Sequence, residues 1–291
     1  MTPLPQGPDV TGFFDPATHT VTYLVVDPAT RATAIIDPVL DYDPAAARTS
    51  TASIDRVMEA IRERGLKLER VLETHAHADH LTGADVIRSR TGAPIGIGHD
   101  IRKVQQTFGT LFAAHDVTPD AVVFDETYRD GDRFTLGQLE IEVLHTPGHT
   151  PACVSYHIGD AIFVGDTLFM PDYGTARCDF PGGDARTLYG SIQKILALPD
   201  DTRVFIGHDY LPGEGRTDYR WQTTVAAQKA GNIHIAGRSE AEFVALREAR
   251  DATLKAPQLI LPALQVNIRA GALPPAEETG QRFLKLPLNA I

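Results

Sequence analysis

The chain has little cysteine and no long apolar run. Only two of its 291 residues are cysteines, Cys153 and Cys178, which argues against a disulfide framework and is typical of a reducing compartment. No apolar stretch is long enough to span a bilayer. Residues 1–8 lack the basic flank and apolar core of a signal peptide. We therefore predict a cytoplasmic protein that does not associate with membranes.

Basic residues are outnumbered by acidic ones. The chain carries 27 Lys and Arg against 38 Asp and Glu, a formal net charge of −11. This balance disfavours a broad nucleic-acid surface, so we expect no nucleic-acid partner. A small anionic ligand remains compatible with it, because a few cations in one pocket are enough to bind such a ligand.

Segments with strand and helix periodicity alternate along the chain. Apolar runs on both sides of residues 28–30 predict a hairpin over residues 19–37. The patterns further predict strands at 68–72, 94–98, 140–144, 152–158, 161–164 and 203–207, and helices at 53–64, 81–90, 101–115, 184–196 and 240–254. This order indicates an α+β fold with two sheets between outer helices. We expect a catalytic domain at residues 10–235, with a C-terminal helical extension and tail (236–291) packed on the same domain.

Three histidines and an aspartate lie in one short run, Thr74-His75-Ala76-His77-Ala78-Asp79-His80. Imidazole and carboxylate are the usual protein ligands of zinc, iron and manganese. On a turn between a strand and a helix, alternate side chains point to different sides of one cavity. That spacing suits two adjacent metal positions better than one closed tetrahedral site. The alternative is a solvated polar loop, but such clusters rarely arise by accident. The run therefore predicts a metal site.

Three more predicted strands end in a glycine followed by a potential ligand. The ligands are His149, Asp166 and His208, each directly after a glycine. Glycine lets the backbone turn tightly and approach a site closely. Because ligands carried on loops at the edge of a sheet can converge on one cleft, we expect these three to join the histidine run.

The series His75-x-His77-x-Asp79-His80, His149, Asp166 and His208 resembles the ligand set of the metallo-β-lactamase superfamily, from about residue 19 to 210. The resemblance implies an αβ/βα four-layer sandwich with the metal at the sheet edges. Residues 174–180 (GTARCDF), 187–189 (TLY) and 207–210 (GHDY) are similar to the persulfide dioxygenases, also called sulfur dioxygenases. Members of that family often have Cys-Gly-Arg where this chain has Thr-Ala-Arg at 175–177.

The narrower resemblance implies one Fe(II) per chain, bound by His75, His149 and Asp166. It leaves His77, Asp79, His80 and His208 to orient those ligands or to line a second metal position. Three protein ligands leave coordination positions free for a persulfide sulfur and O₂. By resemblance, the chain is a non-haem iron persulfide dioxygenase that oxidises glutathione persulfide with O₂ to sulfite and glutathione.

Arg177 is the candidate for binding the carboxylates of glutathione, because a guanidinium binds a carboxylate bidentately. A salt bridge to Asp179 is the alternative role of this arginine. The other candidate substrate contacts are Asp179, Tyr189, Tyr210, Asn267 and Arg269. The two tyrosines can equally be core residues. Cys178, beside Arg177, is either a small packing residue or a redox-sensitive thiol.

A hydrolase of the glyoxalase II type remains open as a second function. It would use two zinc ions to activate a bridging hydroxide against a glutathione thioester. All seven superfamily ligands are present, which allows such a site. The segment at 177–180, with 187–189 and 209–210, favours the dioxygenase. We also expect a homodimer, in which residues 101–127 either contact the partner or cover the cleft of their own chain.

Overall fold

The structure, a computed structural model, describes residues 7–290. Residues 1–6 of the segment examined above for a signal peptide lie outside the described residues, and so does Ile291 at the end of the predicted tail. No helix among residues 7–290 combines the length and the apolar character that a bilayer crossing requires.

Strands and helices alternate along the described chain. The strands are β1 (Asp9–Asp15), β2 (Thr20–Val26), β3 (Ala32–Ile36), β4 (Val39–Asp43), β5 (Arg48–Ser50), β6 (Lys67–Leu72), β7 (Leu81–Thr82), β8 (Ile95–Gly98), β9 (Glu126–Tyr128), β10 (Arg133–Leu136), β11 (Leu139–His145), β12 (Val154–Ile158), β13 (Ala161–Phe163), β14 (Arg203–Phe205) and β15 (Gln222–Thr224). The helices are α1 (Ala52–Glu63), α2 (Ala84–Thr91), α3 (Ile101–Leu111), α4 (Ala185–Leu196), α5 (Val225–Gly231), α6 (Glu240–Asp251) and α7 (Ile260–Asn267).

Two six-stranded sheets face each other, and a small sheet lies beside them. The first sheet has the order β1-β2-β3-β6-β8-β9, the second β10-β11-β12-β13-β14-β15, and the small one β5-β4-β7. Strand β2 shows how the layers form. Val21, Tyr23 and Val25 pack in the core between the two sheets. Leu24 and Val26 point the other way, into a core shared with helices. This period-2 alternation buries both faces of the strand.

Helices cover both outer faces. Residues of α1, α2, α3 and α7 share one apolar core with the first sheet, and residues of α4, α5 and α6 share another with the second sheet. The four-layer sandwich predicted from the sequence is therefore confirmed. In the C-terminal part, α6 packs against α4, and α7 packs against β7.

The sequence-based prediction missed several short elements and misplaced the ends of two helices. The helix predicted at 81–90 begins as strand β7, and the one predicted at 101–115 ends at Leu111. Strand β1 and helix α7 were not predicted at all. The residues of β1 are mostly half-buried and lack a clear alternation. Helix α7 contains Pro262, but in its first turn, where proline removes no helical hydrogen bond.

The topology brings the candidate ligands to one edge of the sandwich. Strands β3 and β6 run parallel in the first sheet, and β13 and β14 run parallel in the second. Neighbouring parallel strands present their carboxyl ends at the same edge. Two backbone hydrogen bonds join the sheets there, from Val154 N to Thr74 O and from Val21 N to Gly207 O, each 2.9 Å. The loops after these strands therefore meet in one place.

Candidate metal centre

Three predicted ligands, His75, His149 and Asp166, form a compact buried group. Nε2 of His75 and Nε2 of His149 lie 3.9 Å and 3.8 Å from Oδ2 of Asp166. The side chains are 1%, 7% and 6% exposed, respectively. Ligand bonds of about 2.1 Å put donor atoms of one ion about 3 to 3.5 Å apart. The two distances to Asp166 therefore exceed this range by only a few tenths of an ångström, and all three donor atoms lie within 4.8 Å of one another.

The state of His75 fits a metal ligand. Its Nε2 is buried and has no hydrogen-bond partner among the described residues, an arrangement that costs about 1–3 kcal/mol if nothing binds there. Burial, followed by the neighbouring His77 and His149, lowers its pKa well below the usual value. Nδ1 lies 3.0 Å from the Thr74 hydroxyl. The ring is therefore neutral. Its Nδ1 is held by Thr74, and its Nε2 has a lone pair available for a metal ion.

His149 is oriented by the backbone on the opposite side of the group. Its Nδ1 donates to the carbonyl oxygen of Arg177 at 2.8 Å, which leaves Nε2 free to face Asp166. The preceding Gly148 has a φ of +131°, and a Cβ at this position would lie 2.3 Å from the backbone nitrogen of Leu188. Only glycine allows the loop to pack this closely on the first turn of α4.

His208 bridges two carboxylates next to this group. Its Nδ1 lies 2.6 Å from Oδ1 of Asp166, and its Nε2 lies 2.5 Å from Oδ2 of Asp79. Burial opposes a charge on this ring, but Asp166 and Asp79 outweigh it and raise the pKa of His208 to about 10. His208 is also one of three residues, with Asp79 and Asp166, that could hold a second metal ion. A metal ion bound there would have to displace its proton.

His77 is fixed beneath the histidine loop by two buried acids that were not predicted. Its Nε2 lies 3.1 Å from Oδ1 of Asp37 and 3.1 Å from Oε2 of Glu73. Although burial opposes the charged ring, Asp37 and then Glu73 raise the pKa of His77 well above its usual value. Asp37 follows β3 and Glu73 follows β6 directly, but neither comes after a glycine, so the pattern that identified His149, Asp166 and His208 does not include them.

His80 and Asp79 lie on the same loop and make different contacts. Nδ1 of His80 is 3.2 Å from the Thr20 hydroxyl and 3.5 Å from Asp79. Together with His77 they form a further set of donor atoms within 4.8 Å of one another. All four candidate ligands of the predicted run thus lie at the centre, while His75 is the member grouped with His149 and Asp166.

Asn267 supports the loop from below. Its Nδ2 donates to the carbonyl oxygens of His77 and His80, each at 2.8 Å, and its Oδ1 accepts from Thr82 N at 2.8 Å. It was expected to contact substrate. The structure instead places its side chain among backbone groups, and Asn267 does not line the large cavity beside the metal-binding group. Arg269, also expected near the cleft, forms an ion pair with Asp116 and lines a separate cavity.

A cavity of about 480 Å³ opens beside the metal-binding group. Its metal end carries Asp79, His149 and Asp166. The walls further out carry aromatic and basic side chains: His19, Phe169, Tyr173, Tyr210, Arg177, Arg247 and Arg250. No residue of the segment 101–127 lies among its described lining. The cavity therefore pairs a buried acidic and histidine end with guanidinium groups further out, which suits a small anionic molecule.

Arg177 forms the salt bridge to Asp179, which is one of the two roles that the sequence had left open. Its Nε and Nη2 bind the two carboxylate oxygens of Asp179, each at 2.5 Å, and Nη1 donates to Lys255 O at 2.7 Å. The side chain also lines the cavity. Arg250, which the sequence reasoning missed, lines the cavity without an ion-pair partner among residues 7–290. It is the guanidinium more available to an incoming carboxylate.

Tyr210 and Tyr189 lie in different surroundings. Tyr210 stacks on His208, with ring centroids 5.5 Å apart and planes 7° apart. Burial, followed by Asp79 and Asp166, raises the pKa of Tyr210 well above its usual value, so its hydroxyl stays a donor at the cavity wall. Tyr189 packs against Phe243 with ring centroids 5.5 Å apart and does not line the cavity. Cys178 is buried, and burial raises its thiol pKa, which makes it a packing residue rather than a reactive thiol.

His19 is a cavity residue that the sequence analysis did not single out. Its ring lies 5.4 Å from that of Tyr210, centroid to centroid. It has a φ of +60°, unusual for a residue with a side chain, and its Nδ1 is buried without a partner in the described part of the chain. A backbone strain and an unpaired nitrogen next to a metal site are features expected of a functional position.

Comparisons with known proteins place the chain in a family. The model described as "Metallo-beta-lactamase superfamily" matches residues 15–208. A beta-lactamase hydrolase-like protein of Xylella fastidiosa is 50% identical over 98% of this chain, and the chain spans 66% of that protein's length. Glyoxylase B2 of Dictyostelium discoideum is 49% identical over 92% of each chain. Human mitochondrial persulfide dioxygenase ETHE1 is 33% identical, over 90% of this chain and 88% of its own.

A solved structure agrees with these matches. ETHE1 from Myxococcus xanthus superposes with a TM-score of 0.73 and 34% sequence identity, covering 91% of this chain and 100% of its own. Together with the buried His and Asp group, these matches support a metal cofactor. The chain belongs to the metallo-beta-lactamase superfamily and, within it, to the family of the ETHE1 persulfide dioxygenases.

Proposed function

We propose that the protein is an iron-dependent persulfide dioxygenase that oxidises glutathione persulfide with O₂ to sulfite and glutathione. The observation that carries this proposal is the division of the centre into two parts. His75, His149 and Asp166 provide three ligands for one ion, and His208 already bridges the two carboxylates that a second ion would need. A single ion with three protein ligands keeps positions open for sulfur and O₂.

The overall reaction balances without another cofactor. Glutathione persulfide, O₂ and water give glutathione and sulfite, with the outer sulfur losing four electrons to O₂. The bound ferrous ion would supply the site at which persulfide and O₂ meet. Two imidazole nitrogens, from His75 and His149, and the Asp166 carboxylate are ligand types that suit a ferrous ion.

The cavity walls suit the glutathione part of the substrate. Arg250 carries no internal ion pair among the described residues and would bind a carboxylate, and the unpaired N–H groups of Arg177 would assist. The hydroxyl of Tyr210 lies at the wall near Asp79 and Asp166. It would donate a hydrogen bond to a sulfur or sulfur-bound oxygen next to the metal. Asp179 would then act on the substrate only through its ion pair with Arg177.

A binuclear hydrolase of the glyoxalase II type is the second candidate. The observation in its favour is that Asp79, Asp166 and His208 also lie within ligand distance of one another, with Asp166 common to both groups. Two zinc ions bridged by Asp166 would activate a hydroxide against a glutathione thioester. The two candidates therefore differ in the number of ions and in their need for O₂.

One experiment separates these functions. The protein is purified without added metal, its iron and zinc are measured, and O₂ uptake with glutathione persulfide is followed beside hydrolysis of S-lactoylglutathione. We expect one iron per chain and rapid O₂ uptake. Two metal ions with thioester hydrolysis and no O₂ uptake would refute the dioxygenase.

A matched pair of variants sharpens the result. Asp166→Asn removes a ligand of the proposed iron and should abolish metal binding. Asp79→Asn removes a carboxylate only from the second group, so the dioxygenase should keep about one iron per chain. For a binuclear hydrolase, the same change should lower the metal content from two ions to one.

A further inference from the structure

The carbonyl that orients His149 belongs to a segment with no regular secondary structure, residues 175–178. The Arg177 carbonyl in this segment accepts the Nδ1–H of His149 at 2.8 Å. An irregular segment has no hydrogen-bond ladder to fix its carbonyl groups. The direction of the His149 ring therefore depends on whatever holds residues 175–178 in place.

Two buried charged side chains of α6 hold the segment on both sides of Arg177. Arg247, 1% exposed, donates from Nη1 to the Thr175 carbonyl at 3.1 Å. Asp251, 7% exposed, accepts from Cys178 N at 2.8 Å. The two side chains also bind each other, from Nε and Nη2 of Arg247 to Oδ1 of Asp251 at 3.0 Å and 2.7 Å. One ion pair thus fixes a carbonyl and an amide of the same short segment.

The chain beyond α6 makes a third contact with the segment. Nη1 of Arg177 donates to Lys255 O at 2.7 Å. The same part of the C-terminal region therefore holds the Arg177 carbonyl, which faces His149, and the Arg177 side chain, which lines the cavity. The metal end and the basic wall of the cavity are connected through one residue.

Packing of α6 does not by itself require the charges of Arg247 and Asp251. Removing two charges from water costs several kcal/mol per ion, and an apolar pair of similar volume often packs as well or better. Two facing apolar residues would still hold α6 against the protein. They would offer neither a donor to Thr175 O nor an acceptor to Cys178 N.

We propose that Arg247 and Asp251 are positioning residues for the metal centre. They fix residues 175–178 so that the Arg177 carbonyl keeps Nε2 of His149 directed at Asp166 and the Arg177 side chain stays at the cavity wall. The inference rests on the metal centre that the proposed function also requires, but not on the reaction performed there. Loss of the partner that orients a ligand typically weakens metal binding 10- to 100-fold.

The test uses the double variant Arg247→Met/Asp251→Leu, which replaces the ion pair by apolar residues. The metal-free protein is titrated with Co²⁺, and the visible absorption of the bound ion reports its ligand geometry. We expect thermal stability close to that of the unmodified chain, Co²⁺ affinity about 10-fold lower or weaker still, and an altered Co²⁺ spectrum. Arg269→Lys is the matched control, because it changes a partly buried pair with Asp116 that lines a separate cavity.

A second variant decides the question if the double variant fails to fold. Asp251→Asn keeps an acceptor for Cys178 N but leaves Arg247 without its charged partner, and we expect weaker Co²⁺ binding there as well. Asp251→Glu keeps the charge and should restore much of the affinity. Unchanged Co²⁺ affinity and spectrum in a folded variant would overturn the inference. Failure of the unmodified chain to bind Co²⁺ would instead refute the metal centre itself.

Discussion

Replacing Gly148 by alanine should disturb the metal centre through the backbone. Gly148 has a φ of +131°, and a Cβ there would lie 2.3 Å from Leu188 N and 2.4 Å from Leu188 Cα. The strained φ costs about 1–3 kcal/mol. Displacing the backbone of α4 to relieve the overlap costs about as much again. We therefore expect the free energy of unfolding of Gly148→Ala to fall by about 2–6 kcal/mol.

The change should also reach His149, because the displaced loop carries this ligand. A loss of about 3 kcal/mol corresponds to a fall in Tm of roughly 5 °C for a chain of this size, measurable by calorimetry with and without metal. Gly190→Ala is the control on the same helix, since a Cβ at Gly190 has no atom within 4 Å. Alanine in a helix should stabilise by about 0.5–1 kcal/mol. A Gly148→Ala protein with unchanged Tm and metal affinity would refute this reasoning.

Three further changes test other parts of the site. His19→Ala should lower kcat/KM about 10-fold, the effect of losing one hydrogen bond of about 1.4 kcal/mol to the substrate. Elemental analysis should show an unchanged metal content. Loss of metal would show instead that His19 supports the metal ligands. Asn267→Ala removes three buried hydrogen bonds to residues 77, 80 and 82. This variant should have an unfolding free energy about 2–4 kcal/mol lower in denaturant titrations. A rise in KM with unchanged stability would show that Asn267 contacts the substrate. Burial, followed by Arg247, Arg250 and Arg238, lowers the pKa of His234 to about 4. Because this folded-state pKa lies below the unfolded value of about 6.5, stability is fully present above pH 6.5 and falls by at most about 3 kcal/mol as the pH drops to 4. His234→Gln should flatten that fall in unfolding experiments across this pH range, and an unchanged slope would contradict it.

The sequence predicted the layers and the place of the centre because both depend on local patterns. The apolar run of residues 68–72 predicts a strand, and the strand β6 ends at Leu72, directly before the histidine loop. His149, Asp166 and His208 each follow a strand and a glycine, and the loops at one sheet edge bring them together. Burial on both faces of a strand and tight turns at glycine are readable without knowing the neighbours.

The partners of individual side chains were not predictable in this way. Nε2 of His77 is hydrogen-bonded to Asp37, which follows β3 and lies 40 residues before His77 in the sequence. Asn267 and Arg269 are only two residues apart, yet one lies under the metal loop and the other pairs with Asp116. Such contacts depend on tertiary packing that no periodicity records. The predicted homodimer and cytoplasmic location stay predictions.

The most direct test of the central claim is a crystal structure with anomalous diffraction recorded at the iron and zinc absorption edges. We expect one iron peak, within about 2.2 Å of Nε2 of His75, Nε2 of His149 and a carboxylate oxygen of Asp166. His208 should remain hydrogen-bonded to Asp166 and Asp79. Two peaks bridged by Asp166, with Asp79 and His208 bound to the second, would contradict it.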